Sequence, residues 1–310
     1  MQTISIILPV YNGGTFLKLS VESVLNQNFK NFELLIIDDS STDGSREYLD
    51  GLMDKRIVYF KNKTNKGLFF NLNFLVEKST TNLIKLWAQD DIMFSNCLGT
   101  IIDFHRKYPE LSFSYSGCTI IDEFGKVIIN SIIDNTPEIV DFNLHARIAF
   151  YTGSIAGNIA NVCINKQKLI LVGTFDESMK ISGDFDMWVK LSKKGDIGYI
   201  KENIIYLRNH VGQLSRKSDY LLMHVKEDMI IYRNLLGYVS PEMAIEGRVT
   251  LRKHKFVFYY TLMVKEILKG NFKNAFLFYK ELSRMEKVFK LSIAFVKAKL
   301  FKPAIPGLFQ

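Results

Sequence analysis

Through the first hundred residues, apolar runs of five to seven positions alternate with segments whose apolar residues recur every three or four positions. Ile4–Val10, Glu33–Asp38, Ile57–Lys61 and Leu83–Ala88 have the length and composition of strands in a buried sheet. Between them, Phe16–Asn26, Gly44–Met53 and Gly67–Lys78 carry the helical period. Strands separated by helix-length segments predict βαβ units and a mostly parallel sheet. A helix follows near Ser95–Lys107, then a strand at Leu111–Tyr115. After these, the turn Asp122-Glu123-Phe124-Gly125 joins Thr119–Ile121 to Val127–Ile129 in a hairpin. The middle is less regular, with a helix over Asp141–Phe150, a strand over Asn158–Ile164 and a helix over Asp184–Lys193. Beyond Ser218 the period is helical, broken at Ser240-Pro241, Gly270-Asn271 and Pro303. The pattern predicts an α/β domain over residues 1–217 and a helical extension over 218–310, divided between Ser215 and Tyr220.

Charge sharpens that division. From Arg248 onward there are fourteen Lys/Arg against three Glu, a net +11, which leaves −3 for residues 1–247 of the chain's total of +8. The basic stretch is interleaved with aromatics, as in Phe256-Val257-Phe258-Tyr259-Tyr260 and Phe276-Leu277-Phe278-Tyr279. Basic helices with bulky apolar faces suit an anionic membrane surface. The same residues also suit a helical subdomain that packs its aromatics internally or across a homo-oligomer. No nucleic-acid-binding motif accompanies the charge, so no nucleic acid partner is expected. Cys97, Cys118 and Cys163 are widely spaced with no CxxC pair, which excludes a zinc ribbon and argues against a disulfide scaffold. Met1-Gln2-Thr3 leads straight into a strand, and no uninterrupted apolar run reaches the ~18 residues of a membrane span. A cytoplasmic protein is the expectation.

Candidate chemistry gathers at strand ends. Asp38-Asp39 and Asp90-Asp91 each close an apolar run, and ligands of open α/β sheets bind just past such ends. Two acidic pairs on one rim need a cation or hydrogen-bond donors between them. Asp38-Asp39 opens a stretch of Ser, Thr and Asp in which Thr42 or Asp43 is expected to cap the next helix. A carboxylate here suits a base N–H or a ribose hydroxyl; no GxGxxG follows either strand. Asp90-Asp91 suits a hard divalent cation that keeps positions open for phosphate oxygens.

Four segments then carry a resemblance. Pro9-Val10-Tyr11-Asn12, Asp38-Asp39-Ser40-Ser41-Thr42-Asp43-Gly44-Ser45, Asn65-Lys66-Gly67 and Gln89-Asp90-Asp91 resemble, in order and spacing, the successive signatures of family 2 glycosyltransferases with the GT-A fold. The likeness covers Thr3–Ser215. It implies a Rossmann-like α/β domain in which Pro9, Tyr11, Asn12, Asp39, Asn65, Gly67 and Asp90 bind a nucleotide-diphosphate sugar. Asp91, with Asp90, would bind Mn²⁺ or Mg²⁺. The family's acidic dipeptide ahead of an aromatic-rich helix reads Gly183-Asp184 here, with glycine where glutamate is usual. Asp184 aligns with the catalytic base, sharing a helix face with Trp188 and Leu191; Asp186 is the second choice. Tyr206–Ser215 resembles the family's Arg-x-His segment, which implies Arg208 as a phosphate contact and His210 as a further metal ligand. Gly153–Asn158 resembles the acceptor loop.

The resemblance implies an inverting glycosyltransferase, with UDP as the expected base carrier. The acceptor would be a glycan or polyprenyl-diphosphate-linked hydroxyl in cell-surface polysaccharide assembly, such as capsule or lipopolysaccharide. The tail would hold the enzyme peripherally on the inner membrane face. Two other readings stay open: a non-catalytic scaffold on the same fold, and a sugar-phosphate nucleotidyltransferase, whose glycine-rich basic loop is missing.

Overall fold

The computed structural model describes residues 3–130, 135–210, 212 and 220–300. The chain forms two compact units, Met1–Phe142 with Ala156–Gln213, and Asn143–Ile155 with Leu214–Gln310. The expected division at 217/218 and the break at Pro303 lie outside the described residues.

The first unit begins β1 (Ile4–Val10), α1 (Phe16–Leu25), β2 (Phe32–Asp38), α2 (Ser45–Asp50), β3 (Ile57–Lys61), α3 (Leu68–Lys78) and β4 (Leu83–Leu86). It continues β5 (Ile92–Met93), α4 (Cys97–Lys107), β6 (Phe113–Ile121), β7 (Val127–Ile129) and β8 (Ile139–Val140). Helix α5 (Phe142–Thr152) follows. The first unit then closes with β9 (Cys163–Asn165), α6 (Lys166–Val172), α7 (Gly183–Ser192) and β10 (Ile197–Arg208). One mixed sheet runs β3-β2-β1-β4-β9-β6-β10-β5, with β7 on β6 and β8 on β10. Its longest registers, β1 with β2 and β10 with β6, are parallel; the apolar runs predicted the first, while β10 was not expected.

Alternation decides the packing. Ile4, Ile6, Leu8 and Val10 on one face of β1 join Phe32, Leu34 and Ile36 of β2 and Leu17, Val21 and Val24 of α1 in one buried cluster. Each such side chain contributes about 1.5–3 kcal/mol by leaving water. The order 3-2-1-4 places the two neighbours of β1 on opposite sides, so a crevice opens past the carboxyl ends of β1 and β4.

Three expectations change. The strand expected at Leu111–Tyr115 runs over Phe113–Ile121 and so merges with the first hairpin strand. Asn158–Ile164 is mostly a 3-10 turn, Ile159–Asn161, capped by the Asn158 side chain, with β9 after it. Finally, α2 starts at Gly44, in the left-handed region at φ 89°, without a side-chain cap. Asp43 instead accepts the Ser45 N–H at 3.1 Å.

The second unit adds α8 (Leu221–Tyr238), α9 (Pro241–Leu251), α10 (Val257–Leu268), α11 (Phe272–Ser283) and α12 (Val288–Leu300), with a π-helical stretch, Arg252–Phe256, between α9 and α10. The breaks fall where turn chemistry put them. Ser240 caps α9 ahead of Pro241, and Asn271 caps α11 after Gly270 at φ 75°. Within this unit the ring of Phe150 of α5 packs against Gly247 of α9, where a Cβ would stand 2.5 Å from it. Among the described residues no helix is long and apolar enough to cross a membrane.

Candidate functional site

Two loops at the rim are sewn together by the polar residues that follow β2. The Asn12 N–H donates to Ser41 Oγ at 2.9 Å, Gly13 N–H to Ser45 Oγ at 2.9 Å, and Gly14 N–H to Asp43 Oδ2 at 2.8 Å. Thr42 N–H returns a bond to Asn12 Oδ1 at 2.8 Å. Asn12 (φ 50°) and Ser40 (φ 68°) both adopt the left-handed conformation, which costs a non-glycine residue roughly 1 kcal/mol or more. These bonds offset that strain. The excess of Ser, Thr and Asp over what a helix cap needs is therefore a seam between loops.

Across the crevice, Gln89 acts as a side-chain rung. Its Oε1 accepts Tyr11 N–H at 2.9 Å and its Nε2 donates to Tyr11 O at 3.1 Å. This holds the Tyr11 backbone beside Asp90-Asp91 and leaves the Tyr11 side chain 48% exposed.

Asp38 and Asp39 are both buried, and both are satisfied. Asp38 Oδ2 receives Arg46 Nε at 2.7 Å, and Oδ1 accepts Ser41 N–H at 3.1 Å. Asp39 Oδ1 accepts Asn62 Nδ2 and Lys66 N–H, each at 2.8 Å, and Oδ2 accepts Gly67 N–H at 2.9 Å. Asp39 thus binds the Asn65-Lys66-Gly67 turn, whose Gly67 sits at φ 89°. A carboxylate has about four lone-pair positions, so one remains. Pro9 pairs with Ile37 inside the sheet, while Asn65 is exposed.

Asp90 and Asp91 differ. Asp91 is 1% exposed; Oδ1 accepts Arg208 N–H at 2.8 Å, but Oδ2 is buried with no hydrogen bond among the described residues. Burial first, and then the neighbouring Asp90 carboxylate, push its carboxyl up to about 8, against the opposing Arg208 and Lys85. Asp90 Oδ2 lies 2.9 Å from His210 Nε2. His210 Nδ1 accepts Gly212 N–H at 3.2 Å, which assigns the ring proton to Nε2 and makes His210 a donor to Asp90. Strand β5 explains the meeting: Ile92 and Met93 pair with Tyr206 and Ile205 of β10, bringing Arg208 and His210 alongside.

Arg208, which the resemblance implied as a phosphate contact, is bonded to nearby backbone carbonyls. Its Nε donates to Asp90 O at 3.0 Å, and its Nη1 to the carbonyls of Asp122 and Glu123 at 3.1 and 3.2 Å. The guanidinium lies 4.6 Å over the Phe16 ring and the residue is 3% exposed. Buried among carbonyls, it clamps the Asp90 turn to the Asp122 hairpin.

No set of three His, Cys, Asp or Glu side chains is arranged to hold a metal ion among the described residues. The bare Asp91 Oδ2 beside Asp90 nevertheless fits a hard cation that takes one or two carboxylates and completes its shell from a diphosphate and water.

Asp184 opens α7, in the first turn after Ser182, where a helix favours negative charge. It is half-buried, and its Oδ1 accepts Phe185 N–H at 2.7 Å. Trp188 and Leu191, on the same face, are fully buried. Trp188 packs on Phe113 and Phe175, with centroids at 5.1 and 6.4 Å, so the helix start is anchored in an aromatic cluster. Asp186 is 5% exposed and pairs with Lys190 at 2.5 Å, which leaves Asp184 as the accessible acid of the turn. Of the expected acceptor loop, Gly153–Ile155 belongs to the second unit and Ala156–Asn158 to the first.

Gln89 stood in the motif Gln89-Asp90-Asp91 without a role, and two contributors, Arg46 and Lys85, were missed in the sequence. Arg46 is an ordinary helix residue whose partner, Asp38, closes β2. Lys85 is buried in β4, its Nζ donating to Ala160 O, and desolvation holds its pKa down. A lysine in an otherwise apolar strand was the available signal.

Comparison with known proteins bears on the fold and the site together. The glycosyl transferase family 2 pattern matches residues 5–158, which spans the loops of Asp39 and Asp91. The chain is 30% identical over 207 residues to the putative glycosyltransferase EpsE of Bacillus subtilis, covering 66% of this chain and 71% of that protein. It is 28% identical over 219 residues to the Escherichia coli UDP-Glc:alpha-D-GlcNAc-diphosphoundecaprenol beta-1,3-glucosyltransferase WfaP, covering 69% and 80%. An uncharacterized glycosyltransferase of Rickettsia conorii is 27% identical over 78% of this chain, which spans 39% of that longer protein. Among solved structures, S. aureus TarS 1–349 in complex with UDP-GlcNAc superposes with a TM-score of 0.63 at 17% identity, covering 81% of this chain and 70% of TarS 1–349. The fold, the ordered loop motifs and these relatives agree: the chain belongs to glycosyl transferase family 2.

Proposed function

We propose that the protein transfers a sugar, with inversion, from a UDP-sugar to a hydroxyl of a glycan or polyprenyl-diphosphate-linked acceptor in cell-surface polysaccharide assembly. The observation that carries this reading is Asp91, a buried carboxylate with one oxygen unengaged at the crevice between β1 and β4. WfaP, by name a UDP-Glc-dependent enzyme acting on a diphosphoundecaprenol-linked sugar, and the UDP-GlcNAc complex of TarS support the donor and acceptor classes.

The last lone pair of Asp39 would take a base or ribose donor, on a turn already fixed by Lys66 and Gly67. Asp91 and Asp90 would hold Mn²⁺ or Mg²⁺, with His210 fixing the Asp90 carboxylate in place. Such an ion, when bound, offsets charge growing on the departing diphosphate. Asp184 would accept the proton of the acceptor hydroxyl as its oxygen bonds to the anomeric carbon. The bond from that carbon to the diphosphate oxygen breaks on the opposite face, and UDP leaves with the electron pair. General-base help of this kind is worth ~10²–10⁴-fold.

UDP release from a panel of UDP-, GDP- and dTDP-sugars, with Mn²⁺ and a lipid-linked acceptor, tests the reading. Turnover with one UDP-sugar that Asp184→Asn reduces by ~10²-fold or more is expected. Silence across the panel favours a non-catalytic scaffold, and unchanged turnover in Asp184→Asn removes that residue from the chemistry.

A further inference from the structure

Within the second unit, helices α11 and α12 each present a face that packing does not use. Phe272, Phe276 and Tyr279 stand at i, i+4 and i+7 along α11 and are 69%, 63% and 46% exposed. The opposite face of α11, Ala275, Phe278 and Leu282, is buried, so the outward aromatics are not what holds the helix in place. The Phe276 and Tyr279 rings stack, with centroids 6.3 Å apart. Helix α12 repeats the spacing with Phe289, Ile293 and Val296, all exposed. Single exposed apolar residues are ordinary, but a stripe repeated on two helices marks an interaction surface.

Charge identifies the chemistry of the partner. The acids of this region are spent inside the unit. Glu266 accepts from Asn271 and pairs with Lys269, Glu281 pairs with Arg284 at 2.6 Å, and Glu286 pairs with Arg252 at 2.5 Å. Exposed Lys265, Lys273, Lys280, Lys287, Lys290 and Lys297 have no acidic partner among the described residues. On α11, Lys273 and Lys280 line one flank of the stripe. Lys226 and Arg233 of α8 line a cleft of about 810 Å³ together with the Glu281–Arg284 pair. Two copies meeting through these faces would confront like charges, which disfavours self-association.

We propose that α11 and α12 form a docking surface for an anionic lipid bilayer, with the aromatic stripe in the interface and the lysines on lipid phosphates. The contact is peripheral, and nothing in it depends on the transfer chemistry.

Co-sedimentation of the full chain with vesicles of equal parts phosphatidylglycerol and phosphatidylcholine tests the proposal. Binding should weaken as salt rises and fall at least ~10-fold on phosphatidylcholine alone. It should fall by a similar factor in Phe272→Ser/Phe276→Ser/Tyr279→Ser and in Lys273→Glu/Lys280→Glu. All five side chains are exposed, so both variants should keep the wild-type thermal midpoint and the wild-type rate of UDP release. A chain that stays in the supernatant, or variants that sediment like wild type, would overturn the proposal. Dimerisation or duplex-DNA binding that the variants lose, with no vesicle binding by wild type, would assign the surface to that partner instead.

Discussion

The carboxylate pairs at the ends of β2 and β4 look alike in sequence and live in opposite environments. Around Asp38-Asp39 stand Arg46, Asn62 and three backbone N–H groups, and each of the four oxygens has a donor. Around Asp90-Asp91 the donors are His210 and the Arg208 N–H; Asp91 Oδ2 has none among the described residues, and its carboxyl is pushed up to about 8. One pair shapes a turn, with a donor on every oxygen and one lone pair of Asp39 left over. The other leaves a buried carboxyl oxygen without a partner, which is costly unless a ligand completes it. An acidic pair at a strand end is therefore not by itself a ligand site; the donors around it decide.

Substitutions at the two pairs should separate these roles. On the proposed reading, in which Asp91 would be the principal ligand of a divalent cation, Asp91→Asn should lower transfer on the order of 10³-fold. Mn²⁺ should raise the thermal midpoint of the wild type and leave that of Asp91→Asn unchanged. The sign with pH follows from the raised carboxyl: the unfolded chain releases that proton near its ordinary 3.8, the folded one near 8. The group's contribution is full below pH about 4 and is lost as pH rises through about 8. Without metal, Asp91→Asn should therefore gain stability relative to wild type between about pH 5 and 8, measured by urea unfolding. A gap between the two that does not widen with pH would remove the contrast.

Asp38→Asn should do the reverse, lowering stability by weakening the bonds from Arg46 and the Ser41 N–H, while transfer stays within a few-fold. The urea titration has an acid limb that must be kept apart. His105 and His145, one in each unit, are buried and held neutral, their pKa pushed down to about 4 by desolvation. Their contribution is present above about pH 6.5 and lost as pH falls toward 4, roughly 2 kcal/mol each by pH 5. His105→Gln should flatten that limb without touching the one from Asp91. The smallest effect is expected from Gln89→Ala, about 1 kcal/mol through two lost hydrogen bonds, read as a raised KM for the donor with little change in kcat.

Much of this was legible before any coordinates. Strands β1 to β3 were written in apolar runs, and motif order picked out Asp39, Asp91 and Asp184 as candidates. Strand β10 was hidden because Lys201-Glu202-Asn203 interrupts its apolar pattern, where the register with β6 shifts. The joining of Asn143–Ile155 to the C-terminal helices depends on contacts such as Phe150 on Gly247, which no local period records. The fates of Asp39 and Arg208 were illegible for the same reason. Asp39 finds its donors 27 and 28 residues on, and Arg208 meets Asp91 across 117 positions.

The glycine before Asp184 has a consequence for how this chain can vary. A Cβ at position 183 would lie 2.6 Å from the ring of Phe69, a buried residue of α3 stacked on Phe175. The glutamate usual at that place has no room while position 69 is a phenylalanine. Gly183→Ala alone should cost roughly 1–3 kcal/mol by overpacking, and Phe69→Leu should recover part of it in the double variant. Positions 69 and 183, 114 residues apart in the chain, would then behave as a single letter, changeable together and closed to change one at a time.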